Sequence, residues 1–155
     1  MGLFSWLAGC DPQKISELEE GVATEADVRA RFGEPAAVYD EPQGAKTLEF
    51  PRQPEGQRNY MITIGADGKM SALRQVLAPQ VFARVTPGLD KTQVRRLLGR
   101  PAKTQVFELK NEEVWDWRIL DGPQSKQFSV SFDPQGHVLS TATVDDPKDQ
   151  RLSGG

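Results

Sequence analysis

The chain is poor in the side chains that hold metals and carry covalent chemistry: of 155 residues one is cysteine, Cys10, and one is histidine, His137. A single thiol forms no internal disulfide, so no disulfide framework props up the fold. One His and one Cys do not by themselves build a zinc site. No serine sits in the strained G-x-S-x-G turn of a hydrolase. No G-x-G-x-x-G or G-x-x-x-x-G-K-[ST] run is present to cradle a nucleotide phosphate. No later stretch approaches the ~18 consecutive apolar residues that a membrane-spanning helix needs. Charges of both signs are mixed along the chain, with a formal net charge of −3. That pattern lacks the basic stripe of a phosphate-backbone binder, so nucleic acid is not an expected partner. The composition points to a non-enzymatic protein without metal or cofactor.

What the chain does have is a duplicated pattern. Val28-Arg29-Ala30-Arg31-Phe32-Gly33-Glu34-Pro35 returns as Val94-Arg95-Arg96-Leu97-Leu98-Gly99-Arg100-Pro101. Upstream, Ile15, Leu18 and Gly21 return as Phe82, Val85 and Gly88; downstream, Ile64, Gly68 and Met70 return as Phe132, Gly136 and Val138. Three blocks recurring in order indicate two copies of one unit. A unit of that size buries only about 60% of its unfolded surface, so the copies are expected to share an interface or a continuous sheet.

In each copy the shared pattern reads as a capped helix with a hard stop. Thr24 with Asp27, and Asp90 with Gln93, have capping-box spacing. Val28 and Phe32 lie on one helix face, as do Val94, Leu97 and Leu98. Gly33 and Gly99 are expected at a left-handed C′ position, and Pro35 and Pro101 prevent continuation. A shorter helix precedes each, over 11–20 in the first copy. Runs of period-2 alternation then predict four strands per copy, at 36–40, 46–50, 58–65 and 69–77, and at 102–109, 112–119, 126–133 and 137–144. The expected fold is α+β: two tandem repeats, each a helical hairpin packed on a four-stranded antiparallel sheet. The divisions are 1–10, a partial signal segment; 11–78 and 79–145, the repeats; and 146–155, a polar disordered tail.

Alternation sorts the sheet faces. Trp115, Trp117, Phe128, Val130 and Phe132 point inward, as do Leu48, Phe50, Tyr60, Ile62 and Ile64. Helices covering that side would leave Met61, Thr63, Asp116, Arg118, Ser129 and Ser131 on an open face suited to binding another protein. Glu112, Glu113 and Asp116 form an acidic cluster, read as the solvated end of a hairpin. His137 follows the Gln135-Gly136 turn and is read as solvated.

Cys10 lies behind Leu7-Ala8-Gly9, and L-A-G-C resembles the lipobox at which bacterial lipoproteins are cleaved and acylated. The apolar run Leu3 to Ala8 fits the end of such a signal, although none of the nine preceding residues is Lys or Arg, as a basic n-region requires. Acylation at Cys10 would anchor the chain without a span.

The segment Pro87 to Pro101, followed by Val114-Trp115-Asp116-Trp117-Arg118, resembles the SmpA/OmlA (BamE-like) family of small outer-membrane lipoproteins. The resemblance covers 82–144 well and 15–77 more weakly. It implies an envelope lipoprotein facing the periplasm, whose partners are envelope proteins and whose role is accessory to outer-membrane β-barrel assembly. Two departures stand out. The family has one such unit, whereas this chain has two, a tandem similar to the β-lactamase inhibitory proteins; that implies the alternative of an inhibitor or regulator of a periplasmic enzyme. Asp11, directly after the candidate acylated cysteine, resembles the inner-membrane retention signal, so the outer membrane is favoured and the inner one stays open. Replacing Cys10 by Ser is expected to move the protein from the membrane pellet to the soluble fraction; continued pelleting would remove the lipobox reading.

Overall fold

A computed structural model describes residues 18–147. Cys10, the signal segment, most of the first expected helix and the tail from 148 lie outside the described residues. Within them the chain forms two compact units. One comprises the residues up to Phe50 with Met61–Arg74; the other comprises Pro51–Tyr60 with the chain from Gln75 onward.

In the first unit, Thr24 caps helix α1 (Glu25–Phe32): its hydroxyl accepts from the Asp27 amide, and the Asp27 carboxylate accepts from the Thr24 amide. These bonds satisfy two donors at the helix start that have no intrahelical acceptor. Arg29 pairs with Glu25, one turn back, and with Glu34 beyond the helix stop. Strands β1 (Ala37–Asp40), β2 (Lys46–Pro51), β3 (Asn59–Ile64) and β4 (Met70–Gln75) form a sheet in that order. Strands β1 and β2 pair antiparallel, Ala37 opposite Glu49 through Asp40 opposite Lys46. Val28, Phe32, Leu48, Phe50, Ile62, Ile64 and Met70 are buried, and the Phe32 and Phe50 rings lie 5.2 Å apart.

In the second unit, helix α2 (Pro79–Phe82) is a single turn, and Asp90 with Gln93 closes a capping box on helix α3 (Lys91–Leu98). Strands β5 (Lys103–Phe107), β6 (Glu112–Asp121), β7 (Gln124–Phe132) and β8 (Val138–Asp145) form an antiparallel meander. Its registers place Trp115 opposite Thr104 and Val130, and Trp117 opposite Phe128. Leu77, Val85, Val94, Leu98, Trp117, Ile119, Phe128, Val130, Phe132 and Val138 make the core. Phe82 stacks on Phe128 with ring centroids 4.2 Å apart.

The end of α3 is closed by two buried side chains. Asn59 Nδ2 donates to the carbonyls of Leu98 (2.8 Å) and Arg100 (3.0 Å), and Trp117 Nε1 donates to that of Gly99 (3.1 Å). Buried carbonyls at a helix end otherwise lack partners.

The helical hairpins expected on each sheet are corrected by the structure. Among the described residues the layout is a β-dominant α+β arrangement of two four-stranded antiparallel sheets with only small helices. The cause is local. Pro79 opens α2 and the Pro87-Gly88 pair follows within a few residues, with Gly88 at φ 98°; in so short a span, helix nucleation is not repaid by propagation. In the first copy the described residues before α1 form a turn ending near Gly21, at φ 83°. The helix-stop glycines also differ from expectation. Gly33 (φ 86°, ψ −159°) and Gly99 (φ 81°, ψ −173°) have positive φ with extended ψ, a region that is essentially glycine-only, rather than the left-handed helical one.

Substituting alanine at either glycine is expected to cost about 1–3 kcal/mol in backbone strain. Gly99→Ala is expected to cost more than Gly33→Ala, because its Cβ would stand 2.9 Å from Asn59 Nδ2, while the space at Gly33 is open. Denaturant unfolding of the two variants checks the order; equal costs would show that the Asn59 contact is unimportant.

Candidate functional site

The face of the second sheet opposite its core is built by register. Lys103, Asp116, Ser129 and Ala142 form one cross-strand row, and Gln105, Val114, Ser131 and Ser140 form the next. Every residue of β5 is exposed, so this strand forms an open sheet edge. Between β5 and β7 lies a groove of about 330 Å³ lined by Lys103, Gln105, Phe107, Lys110, Glu112, Val114, Asp116, Gln127, Ser129 and Ser131. Two cationic and two anionic side chains line it, with amides and hydroxyls between them. The surface is built to form hydrogen bonds rather than to bury apolar area.

Asp116 forms the floor. Its side chain is 8% exposed. Oδ1 accepts the Ser129 hydroxyl at 2.5 Å, and Oδ2 stands 3.9 Å from Lys103 Nζ. The cross-strand pairing of Asp116 with Ser129 puts the hydroxyl beside the carboxylate, so the strand register itself supplies this bond.

Of the six residues expected on an open face, the groove brings together Asp116, Ser129 and Ser131. Arg118 points to the same side but is engaged: its Nε donates to Asp146 Oδ2 (2.9 Å) and its Nη1 to the Pro54 carbonyl (2.8 Å). Gln53 bonds both the amide and the carbonyl of Arg118, each at 2.8 Å. Asp146, the first residue of the segment read as a disordered tail, is 2% exposed and also accepts from Ser125. Met61 and Thr63 belong to the first unit's sheet. Met61 is 2% exposed and therefore offers no surface; Thr63 is half-buried, 3.4 Å from the Thr47 hydroxyl. Central strands β2 and β3 are buried on both faces, which alternation within one strand does not reveal.

The acidic cluster is split by the pleat. Glu112 and Asp116 line the groove, while Glu113 turns to the opposite face, where it binds Lys91 and accepts the Trp115 indole N–H at 2.8 Å. His137 is exposed beside Asp133, with Nδ1 3.9 Å from its carboxylate. Sequence reasoning missed Lys103, Gln105, Phe107 and Gln127; the period-2 signal places them on this face once the registers of β5 and β7 against β6 are known.

No family model matches the chain, and no curated protein matches it. Among solved structures it is similar to a protein described as the osmotically inducible lipoprotein OsmE, with 24% identity, 48% of this chain and 86% of that chain covered, and a TM-score of 0.39. It is also similar to a DUF4309 family protein (YjgB) from Bacillus subtilis, with 16% identity, 87% and 86% covered, and a TM-score of 0.34. An extracellular protein containing an SCP domain from Bacillus anthracis matches with 10% identity, 88% and 47% covered, and a TM-score of 0.33. These likenesses decide neither fold nor function.

Lys91 first, and then the Trp115 indole, hold the Glu113 carboxyl below the usual carboxylate range. A pKa lower in the folded than in the unfolded chain stabilises above the unfolded value, and that contribution is lost as pH falls through the folded one. Glu113→Gln is therefore expected to destabilise at neutral pH, with the deficit shrinking below about pH 4. Thermal melts from pH 7 to pH 3 check this, and a pH-independent deficit would contradict it.

Proposed function

We propose that the chain is a lipid-tethered, non-enzymatic protein-binding module of the cell envelope that contacts its partner through the open face of the second sheet. The observation that carries this reading is the groove itself: a hydrogen-bonding surface of half-exposed Ser129 and Ser131 over the largely buried Asp116, beside the fully exposed edge strand β5. Antiparallel sheets tolerate one solvated face, and a concave polar one next to an open edge suits a partner's extended segment. The L-A-G-C tetrapeptide at Cys10 supports the tether, which would raise the local concentration of the module at the membrane. Within this reading the partner is a component of the outer-membrane β-barrel assembly machinery, and the face works as an accessory contact.

The test places a photo-crosslinking amino acid at Gln105 in the full-length lipoprotein, expressed with a complete signal and irradiated in intact cells. Crosslinks to barrel-assembly subunits are expected. Crosslinks to one soluble periplasmic enzyme would support regulation of that enzyme instead. No crosslink at Gln105, with a productive one from a probe elsewhere on the surface, would remove this face from the binding account.

A further inference from the structure

Resting on the protein-binding reading of this face, we propose that the groove is a receptor for a cationic side chain, a guanidinium or an ammonium, presented by the partner and seated on Asp116. The carboxylate is largely withdrawn from solvent, with its side chain 8% exposed, and among the described residues only one of its oxygens accepts a hydrogen bond, that from Ser129. The other faces Lys103 Nζ at 3.9 Å, beyond hydrogen-bond range, on a lysine that is 58% exposed. Charge-assisted hydrogen bonds stabilise a carboxylate through both oxygens; here Oδ2 has only the long ion pair and, since no buried side-chain oxygen among the described residues lacks a hydrogen-bond partner, it stands open to the groove. Lys103 is a loose counter-ion: its ammonium is strongly hydrated and carried on a flexible stem. It swings away when a better-placed cation arrives. Phe107, 42% exposed and lining the same groove, offers a ring for the incoming stem or for the cation itself. Glu112 and Lys110, also in the lining, add one charge of each sign along the groove, so the attraction for a cation is local to Asp116.

The experiment titrates the 15N-labelled full chain with the tripeptide Ac-Ala-Arg-Ala-NH2 and with its citrulline counterpart, which has nearly the same shape and no charge. The arginine peptide is expected to shift the amides around Asp116 and Ser129, binding roughly tenfold more tightly than citrulline. Asp116→Asn, which retains an acceptor for Ser129 and loses the charge, is expected to abolish that preference. Lys103→Ala, at an exposed position that leaves the fold intact, is expected to tighten arginine binding by removing the competing ammonium. Equal affinity for the two peptides, shifts confined to another surface, or weaker binding by Lys103→Ala would overturn the proposal. The Gln105 crosslink separates the two readings: a partner captured equally by wild type and by Asp116→Asn would overturn the cation site and leave protein binding standing. Loss of the crosslink in Asp116→Asn would support the site.

Discussion

Asn59 is the constraint on which the second unit depends. It is fully buried, and its polar groups are used: Nδ2 on the carbonyls of Leu98 and Arg100, Oδ1 on the Arg52 amide, the backbone carbonyl on the Val76 amide, and the backbone N–H on Gln75 Oε1. One side chain therefore closes the end of α3 and fixes the segment Pro51–Tyr60 within the unit. Trp117 completes the closure from below through Gly99. The tightness of this junction explains why a glycine stands at 99: positive φ and the approach of Asn59 both exclude a Cβ. The Gln53 and Arg118 contacts extend the same attachment along β6, away from the groove.

The two copies share a local device and differ in how their sheets are used. Both have a capping box, a helix of eight residues, a glycine at positive φ and a proline two positions later. In the first copy, Thr47, Glu49 and Met61 are buried opposite Leu48 and Ile62. In the second, β6 and β7 follow the pleat, with Trp117, Phe128, Val130 and Phe132 in the core and Ser129 and Ser131 half-exposed on the other side. A duplicated sequence thus yields one sheet with both faces of its central strands covered and another with a usable face. The binding reading follows that asymmetry to the second copy.

Much of this was legible because it is local. Capping boxes are set by residues three apart, and strand positions by alternation over a few residues; both fall where Thr24, Asp90 and the inward Trp-x-Trp pattern put them. The helical hairpins were not legible, because the weight of Pro79, Pro87 and Gly88 against a short apolar pattern depends on how much packing such a helix gains. Met61 and Arg118 illustrate the same limit at the site: alternation gives the side of a sheet, but not what covers it or which distant carboxylate takes the guanidinium. Asn59 carries no sequence signal at all. It reads as a polar residue at the mouth of a strand, and its partners lie about forty residues away.

The most direct test of this account is the unfolding free energy of Asn59→Ala, followed by tryptophan fluorescence in denaturant. Removing the side chain strands the buried carbonyl of Leu98 and frees that of Arg100, each at a cost of about 1–3 kcal/mol. The predicted result is a loss of roughly 2–5 kcal/mol. A change within about 0.5 kcal/mol, as at an ordinary surface position, would contradict the central role given to this residue.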